Sequence, residues 1–397
     1  MSTLELLEAL YTRKVTFSDS ELLRYREFAE EVVRTLLQEV QKQRRDGDPE
    51  IGTEPIGTGS AFEGVKVKPE LEFDFMVPIQ TKILQIVFCD TDQNVPSRFG
   101  IVKTGSESQI VFQSASKWKK GGDFEAKFCK HANGYGLLLS AEKIRQWFQS
   151  LSDRTLPALQ QIFPGSTFRF QQHGPARNLI LTKDGKELNV DIVPAIKYEN
   201  AFLVAKQCSS KINLPNEATW RLSLSTSERD FFKEMKRVLP YNSCHLKCLK
   251  ILKYLRENDD QLYPSSQFTH GIQSYYLKTA LFHLVMESPP QAWAAGCLEQ
   301  RIREMIGYLI DSLVNRNIPH IFLGNKRHLG NRQWSLGVPV KFCHHTRANL
   351  LEDIKPDTMQ QARLRLIKIR DDLDGILRQY LKEYLNGSES QSWCVVA

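Results

Sequence analysis

The stretch Leu71-Glu72-Phe73-Asp74-Phe75-Met76-Val77-Pro78-Ile79 decides the fold. Apolar residues occupy every second position, and two acids, Glu72 and Asp74, lie between the first three of them. Because successive side chains of a strand point to opposite faces, this pattern predicts a strand with one face in a core and both carboxylates on the other. An exposed polar face is the simpler interpretation, but adjacent carboxylates are also typical of a site for a hard divalent cation such as Mg²⁺.

Two further motifs favour a cation site that handles phosphates. Gly57-Thr58-Gly59-Ser60 lies upstream, where glycines let backbone N–H groups approach a phosphate and Ser60 adds a donor. Downstream, Asp191 interrupts an apolar strand, and an acid there needs a partner, a metal or a shifted pKa. A plain turn and a strand-edge acid facing water are the alternatives. Together the motifs match two-metal nucleotidyl transfer, which needs two or three convergent carboxylates.

The first half of the chain is predicted to mix helices with strands. A long helix is expected over residues 19–45, with a capping box formed by Ser18 and Glu21. A second helix is expected over residues 140–151. Asp184-Gly185 indicates a hairpin turn between two strands. The further predicted strands cover residues 108–113, 167–172, 177–182 and 187–193.

The second half is predicted to be helical. This gives an α+β chain with two lobes: a mixed-sheet lobe with the long helix over residues 1–205, and a helical lobe over residues 206–387. A polar tail, residues 388–397, follows. The helices are expected over residues 227–239, 244–257, 271–286, 292–316 and 357–386.

Composition sets broad limits on function. The 397 residues are 41% hydrophobic and 25% charged, as in globular proteins, and no apolar run is long enough for a membrane helix. The net charge of +7 suits a polyanionic partner. Eight cysteines without framework spacing and an N-terminus without a basic-then-apolar block predict a cytoplasmic protein with reduced thiols.

The order of these motifs resembles the polymerase-β-like nucleotidyltransferases. Gly59-Ser60, then Glu72-x-Asp74, then a distant Asp191 is the arrangement of that group. Three blocks in the second half resemble the Mab-21 family, and within it the branch of cyclic GMP-AMP synthase and the animal receptors similar to it. The blocks are Trp220-Arg221-Leu222-Ser223-Leu224-Ser225, residues 248–255 and residues 274–283.

The resemblance implies a role for each site residue. It makes Glu72, Asp74 and Asp191 the catalytic acids that hold Mg²⁺ or Mn²⁺. ATP and GTP would be bound by the loop formed by residues 57–60, called the phosphate loop below, and by side chains of the helical lobe. The alternatives are that Tyr275 packs in the core and that Lys253 lies on a solvated helix face. The nucleotide-binding residues would be Gly59 and Ser60 at the triphosphate, Arg221, Ser223 and Ser225 at the acceptor, Lys253 and Ser274 at the donor phosphates, and Tyr275 on a base.

By the same resemblance, the chain would make a cyclic GMP-AMP-type second messenger in innate immunity when a nucleic acid binds, and a downstream receptor of STING type would detect the product. A catalytically silent Mab-21 scaffold or adaptor, a DNA-activated enzyme and a constitutive synthetase are the alternatives. Residues 227–243 lack the His and Cys residues of the zinc-binding insertion of the vertebrate DNA sensor, so we expect no structural zinc. Double-stranded RNA is therefore the expected activator.

Two surface features complete the predictions. Basic residues at the end of the long helix and in a later loop are expected to contact the duplex: Arg44, Arg45, Lys117, Lys119 and Lys120. Cys394-Val395-Val396-Ala397 matches a prenylation motif, with chance as the alternative. A single lipid on Cys394 would give only weak membrane association.

Overall fold

A mixed sheet of twelve strands forms the centre of the chain within the residues that the computed structural model describes. These are all residues except 17–18, 68–69, 81–84, 89–97, 105–121, 174–175, 209–213, 265–266, 327–333, 335–337, 339, 345–347 and 387–397. The strands are β1 (Glu50–Ile51), β2 (Ile56–Thr58), β3 (Leu71–Gln80), β4 (Gln85–Phe88), β5 (Phe99–Thr104), β6 (Cys129–Ala132), β7 (Gly136–Leu139), β8 (Thr167–His173), β9 (Ala176–Lys183), β10 (Lys186–Tyr198), β11 (Ala201–Val204) and β12 (Thr219–Ser223).

The pairing of β3 with β10 is parallel, and this pair organises the sheet. Every other strand pair described in the sheet is antiparallel. The predicted strand at 71–79 is confirmed as β3, and those at 167–172, 177–182 and 187–193 as β8, β9 and β10. The predicted hairpin is also present, with Asp184 and Gly185 both at positive φ (52° and 74°), as a tight primed turn requires. The predicted strand at 108–113 lies outside the described residues.

The described part of the chain contains fifteen α-helices. They are α1 (Thr3–Leu10), α2 (Asp19–Lys42), α3 (Ser60–Glu63), α4 (Gly122–Phe128), α5 (Ala141–Asp153), α6 (Leu156–Ile162), α7 (Ser225–Val238), α8 (His245–Glu257), α9 (Asp259–Leu262), α10 (Phe268–Gly271), α11 (Ser274–Glu287), α12 (Leu298–Val314), α13 (Val340–Cys343), α14 (Pro356–Asp371) and α15 (Leu373–Tyr380). None of the described helices is both long and apolar enough to cross a membrane.

The long helix α2 buries one continuous stripe against the sheet lobe. Its fully buried residues recur at helical spacing: Ala29, Val32, Val33, Leu36, Leu37 and Val40. The helix ends at Lys42, before the predicted end at Arg45, because the chain turns back on itself there. Asp48 holds the turn: its carbonyl accepts from Arg44 Nη2 at 2.9 Å and its carboxylate accepts from the Arg45 N–H at 3.1 Å. The predicted cap Ser18 lies outside the described residues.

Two predicted helices of the second half need correction. The segment 292–316 becomes helical only at Leu298, because two 3₁₀ turns occupy Pro290–Trp293 and Ala295–Cys297. The segment 357–386 is not one helix, since Asp372 leaves helical geometry (φ −124°, ψ 48°) between α14 and α15. The Asp372 side chain then accepts from the Gly375 N–H at 3.2 Å and caps α15.

Candidate active site

The register of β3 and β10 brings two of the predicted acids side by side. Asp74 and Asp191 are direct partners across the parallel pair, and Glu72 lies opposite Asn189. Phe73 and Phe75 are buried while Glu72 and Asp74 are exposed, as the alternation predicted. Since paired residues of parallel strands project to the same face, the three acids share one face of the two strands.

The electrostatics of this face favour a cation. Asp74 keeps contact with solvent, but its carboxylate is largely enclosed by protein. This burial is the main cause that raises the pKa of Asp74 to about 6, and the negative charges of Asp191 and Glu72 add to it. Asp191 Oδ1 accepts from Asn178 Nδ2 at 2.8 Å, and Glu72 Oε2 lies 3.5 Å from Lys66 Nζ. Crowded carboxylates of this kind are the oxygen donors that Mg²⁺ and Mn²⁺ prefer, so the donor set fits a divalent metal. Among the described residues, however, no three acid, His or Cys side chains are already gathered around a metal position.

The loop before β3 places Gly59 against the acid pair. Gly59 has a φ of 75°, and a Cβ atom there would overlap the carboxylate of Asp74, so only glycine fits. Gly57 is restricted in the same way, because a Cβ atom would overlap the ring of Phe62. Ser60 follows as the first residue of α3. The motif therefore brings Gly59 and Ser60 to the edge of the acid face, where a phosphate chain would meet a metal.

A buried charge network ties α3 to the helices of the second half. Lys278 Nζ on α11 donates to Glu63 Oε1 at 2.9 Å and to Glu228 Oε2 on α7 at 2.7 Å. Burial disfavours the ammonium, but Glu228 and Glu63 outweigh it and raise the pKa of Lys278. The side chains of all three residues are 12% exposed or less. The network fixes the phosphate-loop helix to the helical half.

Tyr275 is held by its hydroxyl at the edge of this network. The hydroxyl donates to Glu228 Oε1 at 2.6 Å and lies 3.2 Å from His320 Nε2. Burial lowers the pKa of His320 to about 4, so the imidazole is neutral. The half-buried ring of Tyr275 is anchored, which leaves both proposed roles, base stacking and packing, compatible with its position.

The predicted phosphate-binding residues of the helical half are only partly free. Lys253 Nζ donates to the Val65 carbonyl at 2.8 Å, and burial lowers its pKa to about 8. Ser274 is exposed at the start of α11. The hydroxyls of Ser223 and Ser225 lie 3.0 Å apart, and their assignment to the acceptor stays a prediction.

Arg221 belongs to a cluster of three cations. Burial, and then Arg98, lower the pKa of Arg221, while burial followed by Arg221 and Arg98 lowers that of Lys206. Arg98 Nη2 lies 3.3 Å from Asp353, which offsets part of this charge. Glu352, 4.0 Å from Arg98 Nη2, offsets a further part of it.

Several site residues were not found from the sequence. Each is a polar or charged residue that is ordinary in the sequence, and its role becomes visible only once its partner in the fold is known. They are Glu63, Lys66, Arg98, Asn178, Glu228 and Lys278.

The predicted nucleic-acid surface is described only in part. Arg45 is exposed at the end of α2, and Arg44 beside it is half-buried against Asp48. Lys117, Lys119 and Lys120 lie outside the described residues, as does the prenylation candidate Cys394. The duplex surface and the lipid therefore stay predictions.

Two sequence models of one family match the chain. The Mab-21 protein nucleotidyltransferase domain matches residues 61–234, and the Mab-21 protein HhH/H2TH-like domain matches residues 244–329. Together they cover more than half of the chain and contain the acids, Arg221, Lys253 and Tyr275.

The chain is also similar to several curated proteins. It is 26% identical to the inositol 1,4,5-trisphosphate receptor-interacting protein of Takifugu rubripes over 343 residues, which are 79% of this chain and 62% of that protein. The Homo sapiens protein of that name is 26% identical over 384 residues (89% and 67%). The cyclic GMP-AMP synthase of Sus scrofa is 23% identical over 331 residues (74% and 62%). The chain thus spans about two thirds of the length of these relatives.

Proposed function

The chain belongs to the Mab-21 family of nucleotidyltransferase-fold proteins, and from this premise we propose that it is an enzyme that joins ATP and GTP into a cyclic GMP-AMP-type dinucleotide. The observation that supports transfer chemistry most is the parallel register that sets Asp74 beside Asp191. Burial first, and then Asp191 and Glu72, raise the pKa of Asp74 to about 6. Divalent metals bound to Glu72, Asp74 and Asp191 would supply charge for the triphosphate and acidity for the attacking hydroxyl.

The chain's own residues supply the positioning in this proposal. Residues 1–205 carry the acids and the phosphate loop, in which Gly59 and Ser60 bind the donor triphosphate. Residues 206–387 carry the base and acceptor contacts, with Arg221 beside the acceptor and Tyr275 on a base. Lys253 exchanges the Val65 carbonyl for a donor phosphate, since one lysine ammonium can satisfy either oxygen.

The test is a product analysis on the full chain. We expect ATP, GTP and Mn²⁺ with a duplex to give a product that phosphatase leaves intact, because a cyclic dinucleotide has no terminal phosphate. A phosphatase-sensitive product would indicate a linear synthetase instead.

We propose double-stranded RNA as the activator, acting on the surface that includes Arg45. Matched RNA and DNA duplexes of equal length are compared in one assay at fixed salt. RNA is expected to stimulate more, and the stimulation is expected to fall steeply with salt because phosphate contacts release counterions. Stronger stimulation by DNA would overturn this part while leaving the enzyme class intact.

A second candidate function is a catalytically silent binding protein. It is favoured by the name of the relatives, inositol 1,4,5-trisphosphate receptor-interacting protein. In that case the acid face would make no product under any nucleotide, metal or duplex condition. The test is a pull-down of the inositol 1,4,5-trisphosphate receptor by this chain and by its Asp191→Asn variant. Equal binding by both would support the binding function.

A further inference from the structure

We propose that Lys66 is a built-in counter-cation of the acid face, which pairs with Glu72 beside Asp74 in the metal-free protein and must be displaced when a divalent metal binds. The inference rests on the proposed function, because it assumes that these acids are metal ligands. In this proposal Lys66 sets the affinity of the site for the metal.

Lys66 reaches the acids from a buried position. Its side chain is 6% exposed, and its Nζ lies 3.5 Å from Glu72 Oε2, whose own side chain is 60% exposed. Lys66 is also the cation that opposes the rise in the pKa of Asp74. A buried ammonium is costly unless a carboxylate compensates its charge. The position of the Lys66 ammonium therefore depends on the nearby carboxylates.

The backbone on the N-terminal side of Lys66 is anchored from the helical half. Lys278 holds Glu63, the last residue of α3, and Lys253 holds the Val65 carbonyl. Val65 and Val67 on either side of Lys66 are buried. These contacts fix the segment that carries Lys66. The fold therefore directs its ammonium to the acids, unlike the ammonium of a flexible lysine on the surface.

The same contacts give a charge competition. A divalent ion bound to the acids would use Glu72, whose Oε2 the Lys66 ammonium contacts. Two cations a few ångströms apart repel by about 1 kcal/mol or more even in a screened environment. Removing the Lys66 charge while keeping its apolar stem should therefore tighten metal binding. Lys66→Met is expected to bind Mn²⁺ at least about threefold more tightly, and Lys66→Arg to stay within about twofold of wild type.

The experiment measures Mn²⁺ binding to the full chain by calorimetry at pH 8, without nucleotide, so that the readout is independent of activity. Lys130→Met is the matched control, because it removes a Lys–Glu pair (Lys130 Nζ to Glu217 Oε1, 2.9 Å) away from the acids. The control is expected to bind as wild type does. Lys66→Gln, which is shorter and polar, replaces Lys66→Met if circular dichroism shows the latter to be unfolded.

The outcomes separate the two proposals. Tighter Mn²⁺ binding in the charge-neutral variant, lost when Asp74→Asn is added, supports the role of Lys66. Unchanged or weaker binding in the neutral variant, with binding still abolished by Asp74→Asn alone, overturns the role of Lys66 and leaves the metal acids standing. Mn²⁺ binding that Asp74→Asn does not alter overturns both.

Discussion

Replacing Asp74 by Asn is predicted to stabilise the metal-free fold at neutral pH although it removes a proposed metal ligand. The pKa of Asp74 is raised from 3.8 to about 6, so the folded state holds the proton more tightly than the unfolded state does. The stabilisation by this proton is complete below pH 3.8 and is lost as the pH rises to about 6. Above that pH the charged carboxylate of Asp74 destabilises the folded state, because it is buried and repelled by the neighbouring acids. The uncharged amide of Asn avoids this cost.

The magnitude follows from the shift. Two pKa units correspond to about 3 kcal/mol at most, and solvent screening of the partly exposed Asp74 reduces the effect to about 1 kcal/mol. Urea unfolding at pH 8 should therefore show Asp74→Asn more stable than wild type by about 1 kcal/mol, with the difference vanishing near pH 4. Asp311→Asn, which changes an exposed acid on α12, is the control and should leave the free energy of unfolding close to that of wild type at pH 8. A destabilised Asp74→Asn at pH 8 would refute the electrostatic account of the acid face.

Three further predictions concern single side chains. Gly59→Ala should abolish product formation and lower stability, because the new Cβ meets the Asp74 carboxylate at a positive φ; activity retained in an assay of the purified variant would contradict this. Lys278→Met should cost about 3–5 kcal/mol in urea unfolding, because it leaves two buried carboxylates unpaired, whereas the exposed pair removed by Lys130→Met should cost under about 1 kcal/mol. Asp372→Ala should cost about 1 kcal/mol by the same measurement through the lost cap of α15, and a neutral result would show that the break between α14 and α15 does not depend on it.

The local pattern of the sequence was sufficient for the elements around the acids. The alternation in β3, the Asp184-Gly185 turn and the stripe of α2 each arise from residues close together in the chain, and each was confirmed. The order of the strands was not predictable in this way. The parallel pairing of β3 with β10 joins segments more than a hundred residues apart, and no local pattern encodes it.

The residues of the candidate site also differ in whether the local sequence reveals them. The acids were found because carboxylates are unusual inside an apolar strand, and the glycine loop was found because it lies shortly upstream of two of them. Glu63, Lys66 and Lys278 were missed because each is an ordinary charged residue in sequence, and only burial beside a partner distinguishes it. The break at Asp372 was missed because apolar residues continue the helical spacing on both sides of it.

The most direct test of the account is the transfer of labelled ATP into product by wild type and by Asp191→Asn, with Asp311→Asn as the matched control. Purified full-length proteins at equal concentration are incubated with ATP, GTP, Mn²⁺ and duplex RNA or duplex DNA, and nucleotide products are separated after phosphatase treatment. Wild type and the control are predicted to form the same phosphatase-resistant product, and Asp191→Asn none, with its urea-unfolding midpoint showing that it is folded. No product from wild type with either duplex, or equal product from Asp191→Asn, would contradict the claim that this acid face transfers nucleotides.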